Sequence, residues 1–154
     1  MIVVMKLGVV QQIGQPQEVY DNPINLFVAK FLGIPPINVF EGKVEGGKIY
    51  VGEDAVLDIT GVEDQPVMIG IRPEGFELNE NGALKCKLTS VEVMGRDVSI
   101  VSKHDACVSP AIRSIINADN KVDAAAEFVR YDIKPHKIFI FNKETEERIY
   151  FEVK

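Results

Sequence analysis

The sequence predicts a mainly β protein with a helical segment near its start. Three observations carry this. Residues 16–33 hold apolar residues at helical spacing between proline and glycine stops. From residue 38 onward, short runs rich in Val, Ile and Phe are separated by turn residues. Within one such run Leu84, Cys86 and Leu88 alternate with Lys85 and Lys87, so one face is buried and the other wet. Many short strands at this spacing suit a barrel or a sandwich.

The elements follow in order. Ile2, Val3, Val4 and Met5 form a continuous apolar run, the pattern of a strand covered on both faces. Lys6, Leu7 and Gly8 give a tight turn into Val9 to Ile13. A strand of this kind needs a sheet, and three fates are open to it: disorder, a local hairpin with 9–13, or addition to another chain's edge. An isolated hairpin is marginal in water, so cover from the helix stripe or from a second chain is expected. Pro16 opens a first helical turn through Val19 and Tyr20. Asn22 as N-cap and Pro23 at the first helical position predict a second helix. Its stripe is Ile24, Phe27, Val28 and Phe31, at i, i+3, i+4 and i+7. This stripe packs on the chain's own β-domain in the simpler reading and on a separate domain in the functional one. Gly33 is placed as the left-handed residue ending the helix, and Pro35 and Pro36 prevent continuation. Strands are predicted at 38–45, 48–51, 55–59, 67–71, 84–94, 97–102, 105–108, 126–131, 137–141 and 148–153. The stretch 109–125 is ambiguous, with a short helix predicted around 111–116.

Composition excludes several classes of function. The formal net charge is −6, which opposes phosphate-backbone binding, so no nucleic-acid partner is expected. It also disfavours adsorption on anionic lipid. No apolar stretch approaches the ~18 residues of a membrane span, and the apolar start is too short for a signal peptide. Cys86 and Cys107 are the two cysteines and read as reduced structural thiols. His104 and Cys107 have H-x-x-C spacing. With only Cys86 and His136 as further N or S donors, a zinc site is disfavoured against turn and core residues. Glu92 and Asp97 flank Gly95 and read as turn residues rather than a catalytic carboxylate pair. No catalytic, cofactor-binding or metal-ligating residue is predicted.

Four motifs remain. The first is long: Gly8, Gln12, Gly14, Pro16, Val19, Tyr20, Pro23, Asn25, Phe27, Val28, Ala29, Phe31, Leu32, Gly33, Pro35, Pro36 and Asn38. It resembles the junction that follows the ATPase domain in ABC importer ATPases of the maltose and glycerol-3-phosphate type. Ile2 to Lys6 resembles the last strand of that family's ATPase sheet. Gly70-Ile71-Arg72-Pro73-Glu74, then Val91-Glu92 with Gly95 and Asp97, resemble motifs of its C-terminal domain. Pro135, Ile138, Phe141, Asn142 and Thr145 resemble its last hairpin. Two departures are visible. Gly75 stands where a histidine is common, and residues 109–126 fit poorly apart from Arg113.

The resemblance implies an oligonucleotide/oligosaccharide-binding-like (OB-like) barrel of the transport-associated type (TOBE, MOP-like). It divides the chain into 1–36, the end of an ATPase domain with linking helices, and 37–154, the barrel. It implies a regulatory and dimerisation role: a homodimer, contact with the chain's own ATPase domain, membrane permease subunits reached through the longer protein, and in some members a regulatory protein. The expected location is cytoplasmic, at the inner face of the membrane through the transporter. Its motif residues Gly14, Pro16, Tyr20, Pro23, Phe27, Phe31, Gly33, Asn38, Gly70, Arg72, Pro73, Glu74, Glu92 and Gly95 are then structural or interface residues. Candidate dimer contacts are the bend at Gly95 and the 126–131 strand. The chain contains no GxxxxGK[ST] loop, no metal-orienting Asp-Glu pair and no Leu-Ser-Gly-Gly-Gln signature. ATP and Mg are therefore assigned to the longer parent protein and no cofactor to these residues. A second reading, a small-ligand module for oxyanions or saccharides, lacks stacking aromatics: there is no Trp and four Tyr.

Overall fold

The computed structural model describes residues 1–117 and 122–154. The chain starts as a hairpin of β1 (Ile2–Lys6) and β2 (Val9–Gly14), with a bulge at Val4/Met5. Leu7 (φ 50°) and Gly8 (φ 80°) form its two-residue turn. Two successive positive φ angles match the right-handed twist of a hairpin. Of the three fates open to the first strand, this is the local one. One face is covered: Val4 packs on Val19 and Val28, with Ile2, Phe27 and Leu32 around them. The other face carries Val3, Met5, Val10 and Ile13, each about half exposed.

The helical segment differs from expectation in its second half. Helix α1 (Pro16–Asp21) opens with proline, as predicted. Helix α2 spans Leu26–Phe31 and is capped by Asn25, whose Oδ1 accepts from the Val28 N–H at 2.9 Å. Asn22 and Pro23 do not start it. Asn22 instead closes α1, its N–H donating to the Glu18 carbonyl, and Ile24 joins the connector. The predicted stripe is corrected accordingly. Ile24 and Phe31 are exposed, and the buried residues are Leu26, Val28 and Ala29. Gly33 follows with φ 110°, the left-handed residue past the helix end.

The β-domain comprises β3 (Asn38–Glu45), β4 (Lys48–Val51), β5 (Asp54–Thr60), β6 (Gln65–Ile71), β7 (Phe76–Leu78), β8 (Leu84–Met94), β9 (Asp97–Lys103), β10 (Ile112–Asn117), β11 (Phe128–Ile133), β12 (Ile138–Asn142), β13 (Arg148–Ile149) and β14 (Glu152–Val153). One sheet has the order β13-β12-β6-β3-β4-β5-β14, the other β10-β9-β8-β11-β7. The predicted 148–153 strand is thus two strands on opposite edges of one sheet. Only Tyr150 and Phe151 separate them, so the edges lie within roughly 10 Å of each other along the chain. A sheet whose two edges are that close has curled on itself. With its nearly closed sheets the protein is a mainly β, OB-like barrel.

Two further predictions are corrected. Residues 111–116 are not helical: Ala111 is a bend and 112–116 belong to β10, with Ile112, Ser114 and Ile116 inward. Residues 105–108 are a turn with a single bridge, Phe40 to Cys107. Of the ambiguous 109–125 stretch, residues 118–121 lie outside the described residues.

Both sheets line one core, including Phe40, Ile69, Phe76, Leu84, Ile100, Ile112 and Tyr131. Inward Ser114 is satisfied by the Tyr131 hydroxyl at 2.9 Å, and Tyr131 packs edge-on against Phe76. Asn38, also buried, stitches the sheets together. Its amide donates to the Ile71 and Arg113 carbonyls and its oxygen accepts from the Arg113 N–H. A second core lies outside the barrel, where Leu26 and Ala29 of α2 meet Ile37, Val39, Phe139 and Phe141.

Candidate functional site

The motif residues converge at the junction between the helices and the barrel. Arg72 follows β6 directly, and Pro73 after it holds its backbone extended (φ −64°, ψ 149°). Pro73–Gly75 then forms one turn of 3₁₀-helix, and Pro135–Lys137 forms a second before β12. Because Ile71 pairs with Ile138, the two turns face each other. The Arg72 N–H donates to the Lys137 carbonyl and the Lys134 N–H to the Gly75 carbonyl. A Cβ on Gly75 would sit 2.7 Å from the Lys137 Cβ, so glycine here permits the close approach.

The Arg72 side chain is 1% exposed. One terminal nitrogen donates to the Ala29 and Leu32 carbonyls, at 2.8 and 3.0 Å. The other donates to the Tyr20 carbonyl at 2.8 Å. Those carbonyls are the orphan C-terminal acceptors of α2 and α1. A single guanidinium therefore caps both helices, where the negative ends of their dipoles favour a cation. Its plane stacks on the Tyr20 ring, 3.9 Å from the centroid. Nε has no partner. Burial pulls the Arg72 pKa below its ordinary value, and the charges of Tyr20, Glu74 and Asp21 oppose that shift. Arginine stays a cation under such conditions.

Tyr20 and Glu74 extend the clamp. The Tyr20 hydroxyl meets both Glu74 oxygens, at 2.9 and 2.7 Å. Burial, and then this bond, push the phenol well above its usual value. For Glu74, burial works against ionisation. The hydrogen bond from Tyr20, the backbone and Lys137 outweigh it, holding the carboxyl below the ordinary carboxylate range. Lys137 lies 3.5 Å from Glu74 and 3.9 Å from Asp21.

Other motif residues support this junction from a distance. Gly14 packs its Cα close to Val19, and Pro16 starts α1. Gly33 leaves room for the Tyr20 ring, and Gly70 for Ile37. Pro23 is buried in the connector, Phe27 lies under the Lys6 ammonium, and Phe31 is exposed beside it. Glu92 and Gly95 sit apart, on the exposed end of the β8–β9 hairpin, where Gly95 has φ 65°. Glu92 faces Ser99 and Asp97 faces Met94 across the ladder, so they do not form a pair. His104 uses both ring nitrogens: Nδ1 accepts from the Ala106 N–H and Nε2 bonds Asp54 at 2.9 Å. Burial pushes the Cys86 thiol up to about 12 and raises that of Cys107. The reading of the sequence had Asn25 in the first motif but not as a helix cap, and it gave Asp21, Lys137 and Arg148 no part in the junction. Of these only Asn25 had a signal, the N-cap pattern three residues before Val28.

No protein-family model matches the chain. Curated proteins do. The oligosaccharides import ATP-binding protein MsmX of Bacillus subtilis is 35% identical, over 96% of this chain and 44% of its own length. The sn-glycerol-3-phosphate import ATP-binding protein UgpC of Jannaschia is 28% identical over 96% of the chain and 42% of its length. An uncharacterized ABC transporter ATP-binding protein of Escherichia coli, YcjV, is 30% identical over 94% and 42%. Over nearly its whole length the chain is similar to ATP-binding subunits of ABC transporters, among them importers of oligosaccharides and of sn-glycerol-3-phosphate. It spans less than half the length of these relatives, whose C-terminal portion it matches. No helix among the described residues is long and apolar enough to cross a membrane.

Proposed function

We propose that this chain is the regulatory and dimerisation region of an ABC importer ATP-binding subunit, rigidly coupling a barrel to an ATPase domain. In this reading residues 1–36 are the end of the ATPase domain with its linking helices, and residues 37–154 are the barrel. ATP and Mg are bound by the ATPase part of the longer protein, not by these residues. Permease subunits are contacted through that part, at the inner face of the membrane, and the transported solute is a sugar or related compound.

The observation that carries this reading is the Arg72 clamp. A buried cation bonded to three carbonyls on two helices joins two bodies stiffly, and a mobile linker would not need it. The half-exposed apolar face of the β1–β2 hairpin supports it: Val3, Met5, Val10 and Ile13 form a surface suited to burial against another domain. Light scattering at millimolar concentration tests the dimer, with a two-fold homodimer expected; a strict monomer there overturns dimerisation. Calorimetry tests the nucleotide assignment, and micromolar ATP affinity of this chain overturns it.

A further inference from the structure

Arg148, which none of the motifs includes, opens β13. Its guanidinium lies between two rings, 4.7 Å from the Phe139 centroid and 4.6 Å from that of Tyr150. It makes one long hydrogen bond, 3.4 Å to the Pro23 carbonyl. No carboxylate among the described residues pairs with it. Burial lowers its pKa from the ordinary value, as for a cation stripped of water without a counter-ion.

This guanidinium borders a groove of about 500 Å³ between α1 and the start of β12. Gln17, Asn22, His136 and Lys137 line it with polar groups, and Phe151 and Ile138 with apolar ones. The groove's one carboxylate, Asp21, is already engaged by the Gln17 amide at 3.0 Å and by Lys137. The Phe139 and Tyr150 rings both lie against the Arg148 guanidinium. Apart from the long bond to Pro23, its N–H donors make no hydrogen bond among the described residues, and a guanidinium fork can grip a carboxylate or phosphate with two parallel bonds. A mixed polar and apolar wall beside such a fork suits an anion with an organic body.

We propose that this groove binds a small organic anion, a carboxylate or a phosphate ester, held by the edge of the Arg148 guanidinium. The site is independent of the domain assignment above. The test is calorimetry on the 154-residue chain at constant ionic strength with phenyl phosphate, citrate and inorganic phosphate. Phenyl phosphate or citrate is expected to bind in the millimolar range or tighter, and several-fold better than inorganic phosphate. Arg148→Lys keeps the charge but loses the fork and should weaken binding about tenfold. Lys87→Gln, which removes a charge on the other sheet, should change nothing. Amide shifts of the wild-type chain should centre on Asn22, His136 and Phe151, a readout that needs no variant to fold. Any of four results overturns the proposal: no binding of either organic probe, equal binding of inorganic phosphate, equal loss in Lys87→Gln, or shifts centred elsewhere.

Discussion

The hairpin and the barrel are both built from short apolar strands, yet they are held in opposite ways. The barrel buries a continuous core drawn from two sheets, with residues such as Phe40, Ile69 and Ile100 wholly inaccessible. The hairpin shares three buried valines with the helices, Val4, Val19 and Val28, and leaves its other face half exposed. A three-valine core provides too little burial to order a hairpin and two six-residue helices unaided. The difference is made up by polar fastening. Gln12 bonds the Asn22 carbonyl and the Ile24 N–H, Gln11 bonds Asn25, and Arg72 holds both helix ends. The barrel is therefore stabilised by area and the N-terminal segment by a few directed bonds.

The largest expected effect is on the barrel. Phe40→Ala should cost about 3–5 kcal/mol, read as a shift of the whole denaturation curve. A loss confined to the hairpin would show that the two regions share one core. Next, Arg72→Met keeps an apolar stem and leaves the carbonyls of Tyr20, Ala29 and Leu32 unpaired. It should cost about 3 kcal/mol, with amide protection lost across both helices while the β6–β12 ladder keeps its own. Equal loss in both places would break the comparison.

Acid and alkali should part the regions as well. The Glu74 carboxyl titrates below its ordinary value of 4.5 in the folded protein. The stability it gives is present above that pH and is lost as pH falls through the lower folded value. Helix α1 should then lose exchange protection below about pH 4.5, before the barrel does. The thiol of Cys86 and the hydroxyl of Tyr131 are raised by burial to about 12. Their contribution is full below the ordinary values of 9.0 and 10.0 and is lost as pH rises above them. Tyr20 shares that alkaline sensitivity. The barrel's tertiary circular dichroism should fade in that alkaline range.

Deleting residues 1–14 should leave the barrel folded with little change in its thermal midpoint. Unfolding of the barrel on truncation would make the hairpin part of its fold. The smallest effect is a gain. Leu7 is almost fully exposed and left-handed, so Leu7→Asn should stabilise the hairpin by about 0.5 kcal/mol, visible in exchange rates of residues 2–13 alone.

The sequence showed some of this plainly. The glycine turn at Gly8, the left-handed Gly33 and the alternation over 84–88 each follow from local sequence. The second helix was misplaced because Asn22-Pro23 and Asn25 are both start signals, and only the capping bond to Val28 separates them. Strand β10 was misread because Ile112, Ile115 and Ile116 fall at helical spacing. The true inward set includes Ser114, a polar residue allowed inside by the Tyr131 hydroxyl. The role of Arg72 could not be read at all. Its partners are backbone carbonyls, which any residue supplies and which leave no mark in the sequence.

The strands Arg148–Ile149 and Glu152–Val153 border the two edges of one sheet. During synthesis the β12 edge lacks its last partner until residue 149 has cleared the ribosome, and the β5 edge until residue 153 has. Until then the strands between β3 and β12 present an open sheet with unpaired rims, the form most prone to join another chain. Closure thus waits on a six-residue latch, and the interval before it shuts is the period in which this protein is most exposed to aggregation.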